Sequence, residues 1–154
     1  MEHAVTYAQL AREIHAAFRG SPPPRPGDLI ESGADDGDAA DIRRALRRRR
    51  WTAVPRRVPI DERSGISWFT PIARRHYLPL WLLASAEDGL VRMWTVSHLL
   101  HAIERPERLA VYTAAERHAI CLFLRWIADT HDDERASALA ALAWWSDALE
   151  ANQR

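Results

Sequence analysis

Trp68-Phe69-Thr70-Pro71-Ile72-Ala73-Arg74-Arg75-His76-Tyr77-Leu78-Pro79-Leu80-Trp81-Leu82-Leu83-Ala84-Ser85-Ala86-Glu87-Asp88 is the stretch that decides the fold. From Tyr77 to Ala86 it carries no charge, and it closes on two adjacent acids. A helix that is apolar on every side has to be packed all round. The reading is therefore a buried central helix near 79–88, with Leu80 through Ala86 enclosed by other helices. Thr70 with Pro71 behind it starts a short helix just before, since proline suits the first helical position. Leu78 precedes Pro79 and is pushed away from helical geometry, so a break is expected there.

Helical patterns surround this block. Thr6 and Gln9 form a capping-box pair ahead of Leu10, Ile14, Ala17 and Phe18, and Gly20 stops that helix. The Pro/Gly-rich connection 20–34 contains Ser21-Pro22-Pro23-Pro24-Arg25-Pro26-Gly27, a stiff extended stretch. Acids at Glu31, Asp35, Asp36, Asp38 and Asp41 give way to the arginines from Arg43 to Arg57, a distribution the helix dipole favours. A helix is expected from Asp38 to Arg50, with Ile42 and Leu46 inward. Trp51, Val54 and Val58 continue as an irregular apolar segment broken by Pro55 and Pro59.

After Asp88-Gly89, a helix is expected from Leu90 to Ile103, with Val91, Trp94, and Leu99 or His98 inward and Pro106 ending it. Thr113 and Glu116 make a second capping box, followed by Ala119, Leu122, Phe123 and Trp126 on an inner face. A final helix starts near Asp132 or Asp133 with the stripe Ala138, Leu142, Trp145 and Leu149. No alternating strand pattern competes. The sum is an all-α single compact domain, 1–154, of about six helices.

Composition narrows the class further. A chain of 154 residues fits one domain and buries about two thirds of its unfolded surface, so it needs no metal or disulfide for stability. Cys121 is the one cysteine, which suits a reducing cytoplasm. No basic-then-apolar leader and no bilayer-length apolar run is present, so a cytoplasmic protein away from membranes is expected. All 21 basic residues are arginine, a mark of GC-rich bacterial coding, and 21 acids balance them. No whole-chain field therefore favours nucleic acid or membrane.

The central block resembles the signature of a bacterial domain-of-unknown-function family, F-L-(S/T)-P-E-A-F-R-Y-Y-L-P-A-Y-L-L-A-S-L-E-D. Thr70, Pro71, Ala73, Arg75, Tyr77, Leu78, Pro79, Leu82, Leu83, Ala84, Ser85, Glu87 and Asp88 match it. Arg108, Thr113, Glu116, Ala119, Ile120, Phe123 and Leu124 are similar to a second family stretch, R-F-x-x-L-T-x-E-Q-x-x-A-I-x-x-F-L. Ile72 and Arg74 depart from the family's Glu and Phe. Where members carry a C-x-x-C-like pair, this chain has Gly33-Ala34-Asp35-Asp36-Gly37-Asp38, so no metal or redox role carries over. The resemblance implies a small helical bacterial protein without an established activity.

Three groups of residues are candidates for function. His98, His101 and Glu104, with Glu87 and Asp88, form a His/carboxylate set of the kind that binds zinc or iron or exchanges protons. Against it, the paired Glu-x-x-His of di-iron bundles and HExxH are both absent, and Asp88 suits a helix cap. Glu87 sits where a helix dipole is unfavourable and calls for an arginine such as Arg75 or Arg92. The second group is Arg43 to Arg57, with Arg47, Arg48 and Arg50 around Trp51, able to grip phosphates and stack a base. Its bland counterpart is a solvated helix face neutralised by the neighbouring acids.

The third group is the adjacent pair Trp144 and Trp145. They point to different helix faces, so one belongs to the core and the other is offered to a partner. Cys121 reads as a small core residue rather than a nucleophile paired with His118. His76 reads as packing or polar rim. The reading that follows is a non-catalytic helical domain that binds another protein, such as an immunity or regulatory adaptor protein, with no cofactor. The alternatives are a metal-dependent enzyme using the His/carboxylate set, and nucleic-acid binding through Arg43–Arg57.

Overall fold

Side-chain caps set the helix starts much as the sequence implies. The computed structural model describes residues 4–31, 36–102 and 106–151. Within them lie seven α-helices: α1 Tyr7–Phe18, α2 Asp36–Leu46, α3 Arg57–Asp61, α4 Pro71–Ala84, α5 Gly89–His101, α6 Ala114–Thr130 and α7 Arg135–Ala151. Thr6 and Thr113 each close a capping box, with Gln9 and Glu116 respectively. Asp88 Oδ1 accepts from the backbone N–H groups of Leu90 and Val91, both at 3.0 Å, and caps α5. The fold is all-α; the described residues contain one isolated antiparallel bridge, Ile30 to Phe69, and no sheet. Residues 33–35, Ile103 and Glu104, all part of the expectations above, lie outside the described residues.

The chain divides into two compact units, Met1–Arg19 with Val96–Arg154, and Gly20–Thr95. In the first, α6 packs on α7 and on α1. Leu10, Ile14 and Phe18 of α1 and Ile120, Phe123, Leu124 and Ile127 of α6 are buried together with Ala138, Ala141 and Trp145 of α7. Tyr112 bridges the layers edge-on, 6.5 Å from Phe18 and 5.7 Å from Trp145 between ring centroids. The Trp145 indole N–H donates to the Leu99 carbonyl at 3.1 Å. The final helix begins at Arg135, because Asp132–Glu134 form a separate 3-10 turn.

The second unit is built on α4. Buried side chains run from Ala73 to Ala84 with only Arg75 part-exposed, as a centrally packed helix requires. Two expectations fail here. The helix does not break at Leu78: it continues through Pro79 to Ala84. Pro79 gives no N–H to the carbonyl four residues back, a defect of about 3 kcal/mol in an isolated helix. Burial on every face offsets it, since Leu78, Leu80, Trp81, Leu82 and Leu83 are all core residues. The surroundings also differ: within its unit α4 meets α3 and the two 3-10 turns Trp51–Ala53 and Arg63–Ser67.

Irregular segments carry backbone groups that no helix satisfies, and buried ones need partners. Polar side chains on α4 supply them. Arg74 donates to the Phe69 carbonyl at 2.9 Å and to that of Ile66 at 3.5 Å. The Tyr77 hydroxyl points at the carbonyls of Arg49, 2.7 Å, and Leu46, 3.1 Å. Trp81 Nε1 donates to the Arg63 carbonyl at 3.1 Å. Gly65 lets that turn lie directly on α2 and α4, since a Cβ there would come within 2.8 Å of Ile42 Cδ1.

His76 joins two segments at once. Its Nε2 lies 3.1 Å from the backbone nitrogen of Trp51, which can only donate. Nδ1 therefore carries the ring proton and gives it to the Ser21 carbonyl at 3.1 Å. Burial lowers the His76 pKa, and Arg50 and Arg75 lower it further against the opposing bond to Ser21. A second proton on Nε2 would meet the Trp51 N–H head-on.

Unfolded His76 titrates near the ordinary 6.5 and folded His76 below it. The unfolded state thus binds the extra proton first as pH falls. Stability from neutral His76 is complete above that value and is lost on acidification toward the folded pKa. Urea unfolding followed from about pH 8 to about pH 5.5 should show stability falling by up to about 1.4 kcal/mol per pH unit from this one group. His76→Gln should lower stability at pH 8 and flatten the slope below it. An unchanged slope would contradict the neutral-histidine clasp.

Candidate functional site

Glu87, Asp88 and His101 of the His/carboxylate set each have a local partner. Glu87 pairs with Arg56 at 2.6 Å, not with Arg75 or Arg92; the guanidinium of Arg92 turns instead to the Ser85 carbonyl, 3.1 Å away. Asp88 is committed to its capping role. His101 Nδ1 donates to the Ser97 carbonyl of its own helix at 2.7 Å, and His98 is half-buried. Among the described residues no three His, Cys, Asp or Glu side chains are placed to share a metal ion. Cys121 is buried in α6, where burial pushes its thiol pKa up, and its sulfur accepts from the Ser146 hydroxyl at 3.9 Å. A protonated, enclosed thiol is a poor nucleophile. The adjacent His118 is exposed.

The arginine segment is not one long helix. α2 ends at Leu46, four residues before the expected Arg50, because Arg48 takes a left-handed backbone conformation with φ 55°. That conformation closes a helix and usually falls to glycine. Trp51, expected to stack on a ligand, is 4% exposed and packs beneath the segment. Its side chain is unavailable to a nucleic-acid base. Arg43, Arg47, Arg48, Arg49 and Arg50 remain on the surface.

Glu62 has its pKa raised by burial and then by the negative fields of Asp41, Asp38 and Asp61. Arg44 pairs with Asp41 on α2 at 3.3 Å, and both side chains are exposed. Beside the arginines lies a cavity of about 220 Å³. Pro24 and Pro26 line it beside Arg25, Arg43, Arg47 and Arg48, over the buried Leu29, Leu46 and Tyr77. The Tyr77 phenol, its pKa pushed up to about 12 by burial, stays neutral and turned to backbone carbonyls.

Of the paired tryptophans, Trp145 is the core member at 1% exposure. Trp144 is half-buried, with its ring 5.8 Å from that of Trp145. The most exposed aromatic patch lies elsewhere. On α5, Leu90, Met93 and Trp94 are 50%, 49% and 36% exposed. Their i, i+3, i+4 spacing stacks them in one ridge. Trp94, expected inward, lies outward because Val91 and Thr95 fill the buried side of that turn. The ridge was visible in the sequence as a second apolar stripe out of phase with Val91 and Leu99. A helix apolar on two sides does not declare which side is covered.

No described helix is long and apolar enough to cross a membrane. No curated protein and no solved structure matches the chain. Residues 6–149 match a family of unknown function, DUF6714, and it is to this family that the chain belongs.

Proposed function

We propose that residues 1–154 work as one protein-binding domain whose contact surface is the α5 ridge of Leu90, Met93 and Trp94. Exposed apolar residues scattered singly are ordinary on a protein surface, and Ile72 and Leu139 are of that kind. Three large ones on successive positions of a helix face are not. The exposed ridge is the observation that carries the reading. Tryptophan and methionine are the side chains that protein interfaces favour at their centres. Covering the exposed halves of all three contributes about 2–4 kcal/mol before the costs of association. The occupant this chemistry fits is an apolar face on another protein.

Toxin-neutralising immunity proteins and regulatory adaptors are the forms that such binding takes in a bacterial cytoplasm. The half-buried Trp144 on α7 is a lesser candidate for the same kind of contact.

Photo-methionine at Met93, irradiated in cells, tests the assignment. A defined partner protein should crosslink to the parent and to Leu139→Glu, and the crosslink should disappear in Leu90→Glu with the circular-dichroism spectrum unchanged. Crosslinks only between copies of this chain, or a partner retained at full yield by Leu90→Glu, would overturn it.

A further inference from the structure

The cavity beside α2 is independent of the α5 ridge and poses a separate question. Four arginines line it, and no acidic residue does. Among the described residues no acid pairs with Arg25, Arg43, Arg47 or Arg48. Such a concentration of like charge repels itself, and an anionic ligand relieves it.

Arg48 supplies a second observation. Its left-handed backbone costs about 1–2 kcal/mol for a residue with a Cβ, and glycine would remove the cost. The chain places a long cationic side chain there instead, on the cavity lining. Strain retained at a lined cavity points to use of the side chain. The third observation is the shape of the apolar part. Pro24 and Pro26 give it accessible apolar surface with little entropy left to lose, while Leu29, Leu46 and Tyr77 behind them are fully packed.

We infer that this cavity binds a phosphate monoester carried on a small flat apolar body, with Arg43, Arg47 and Arg48 around the phosphate and the body against Pro24 and Pro26. A dianion matches the several uncompensated guanidiniums better than a single carboxylate, and the planar fork of arginine suits phosphate oxygens. The ligand is either a free phosphorylated metabolite or a phosphorylated aromatic side chain of another protein. The recognition chemistry is the same for both.

Calorimetric titration of the full chain at low salt tests this with phenyl phosphate, inorganic phosphate, phenol, a phosphotyrosine peptide and a single-stranded oligonucleotide. Phenyl phosphate should bind saturably with one site per chain. Inorganic phosphate and phenol should each bind at least about tenfold more weakly, because each lacks half of the contacts. The peptide should match phenyl phosphate if the source is a protein, and fall well below it if the source is a metabolite; both results keep the site. Arg43→Gln and Arg47→Gln should each cost about tenfold, and the exposed Arg57→Gln, outside the cavity, little.

Arg48→Gly should raise the thermal midpoint by a few degrees and weaken phenyl phosphate about tenfold, separating the side chain's binding role from its structural cost. Absence of saturable phenyl phosphate binding would overturn the inference. So would an equal loss in Arg57→Gln, or oligonucleotide binding that phenyl phosphate does not displace.

Discussion

The hydrogen bonds that α4 gives to the irregular chain around it are the constraint on which the second unit depends. Residues 20–70 are poor in long helix: they hold α2, the five-residue α3, three 3-10 turns and the proline-rich connection. Chain of that kind cannot satisfy its own backbone. Arg74, His76, Tyr77 and Trp81 reach from one helix to Phe69, Ser21, Trp51, Arg49 and Arg63 and complete those bonds. Each contributes about 0.5–1.5 kcal/mol net, but a buried carbonyl left without its partner costs about 1–3 kcal/mol. The loss on removal is therefore the larger figure, and it explains why a helix so apolar in length still carries four polar side chains inward.

The same arrangement positions both surfaces. Tyr77 holds the carbonyls of Leu46 and Arg49, so it fixes the chain on either side of Arg47 and Arg48. The left-handed turn at Arg48 sits between two anchored carbonyls, and the cavity lining inherits that rigidity. At the other end of α4, the Ser85 carbonyl accepts from Arg92 and the Asp88 side chain caps α5. The start of α5 is thereby set, and with it the direction in which Leu90, Met93 and Trp94 face. The charge pairing of Glu87 with Arg56 ties the intervening turn to the start of α3.

Much of this was legible in the sequence, where local chemistry is decisive. Thr6, Thr70 and Thr113 cap as their spacing requires, since a cap needs only residues within one turn. The burial of Leu80–Ser85 follows from an uncharged run, and the core role of Cys121 from its apolar neighbours. The misreadings share a cause: tertiary packing overrode a local preference. Pro79 discourages helix locally, yet a helix buried on all sides absorbs the defect. Arg48 disfavours a left-handed turn locally, yet the turn stands there, closing α2 ahead of the Arg49 carbonyl that Tyr77 holds. Trp51 and Trp94 exchanged their expected places, because periodicity marks apolar faces without saying which face another segment will cover. The cavity could not be read at all, as its lining joins the proline connection, α2 and α4 through contacts distant in sequence.

Tyr77→Phe tests the central claim most directly, because it keeps the ring in the core and removes only the hydroxyl. The account predicts a loss of about 1–2 kcal/mol in stability. It also predicts faster native-state hydrogen exchange at the backbone N–H groups of Arg49, Ala53 and Val54, with exchange in α6 and α7 unaltered. Unchanged stability together with unchanged exchange at those three amides would contradict it.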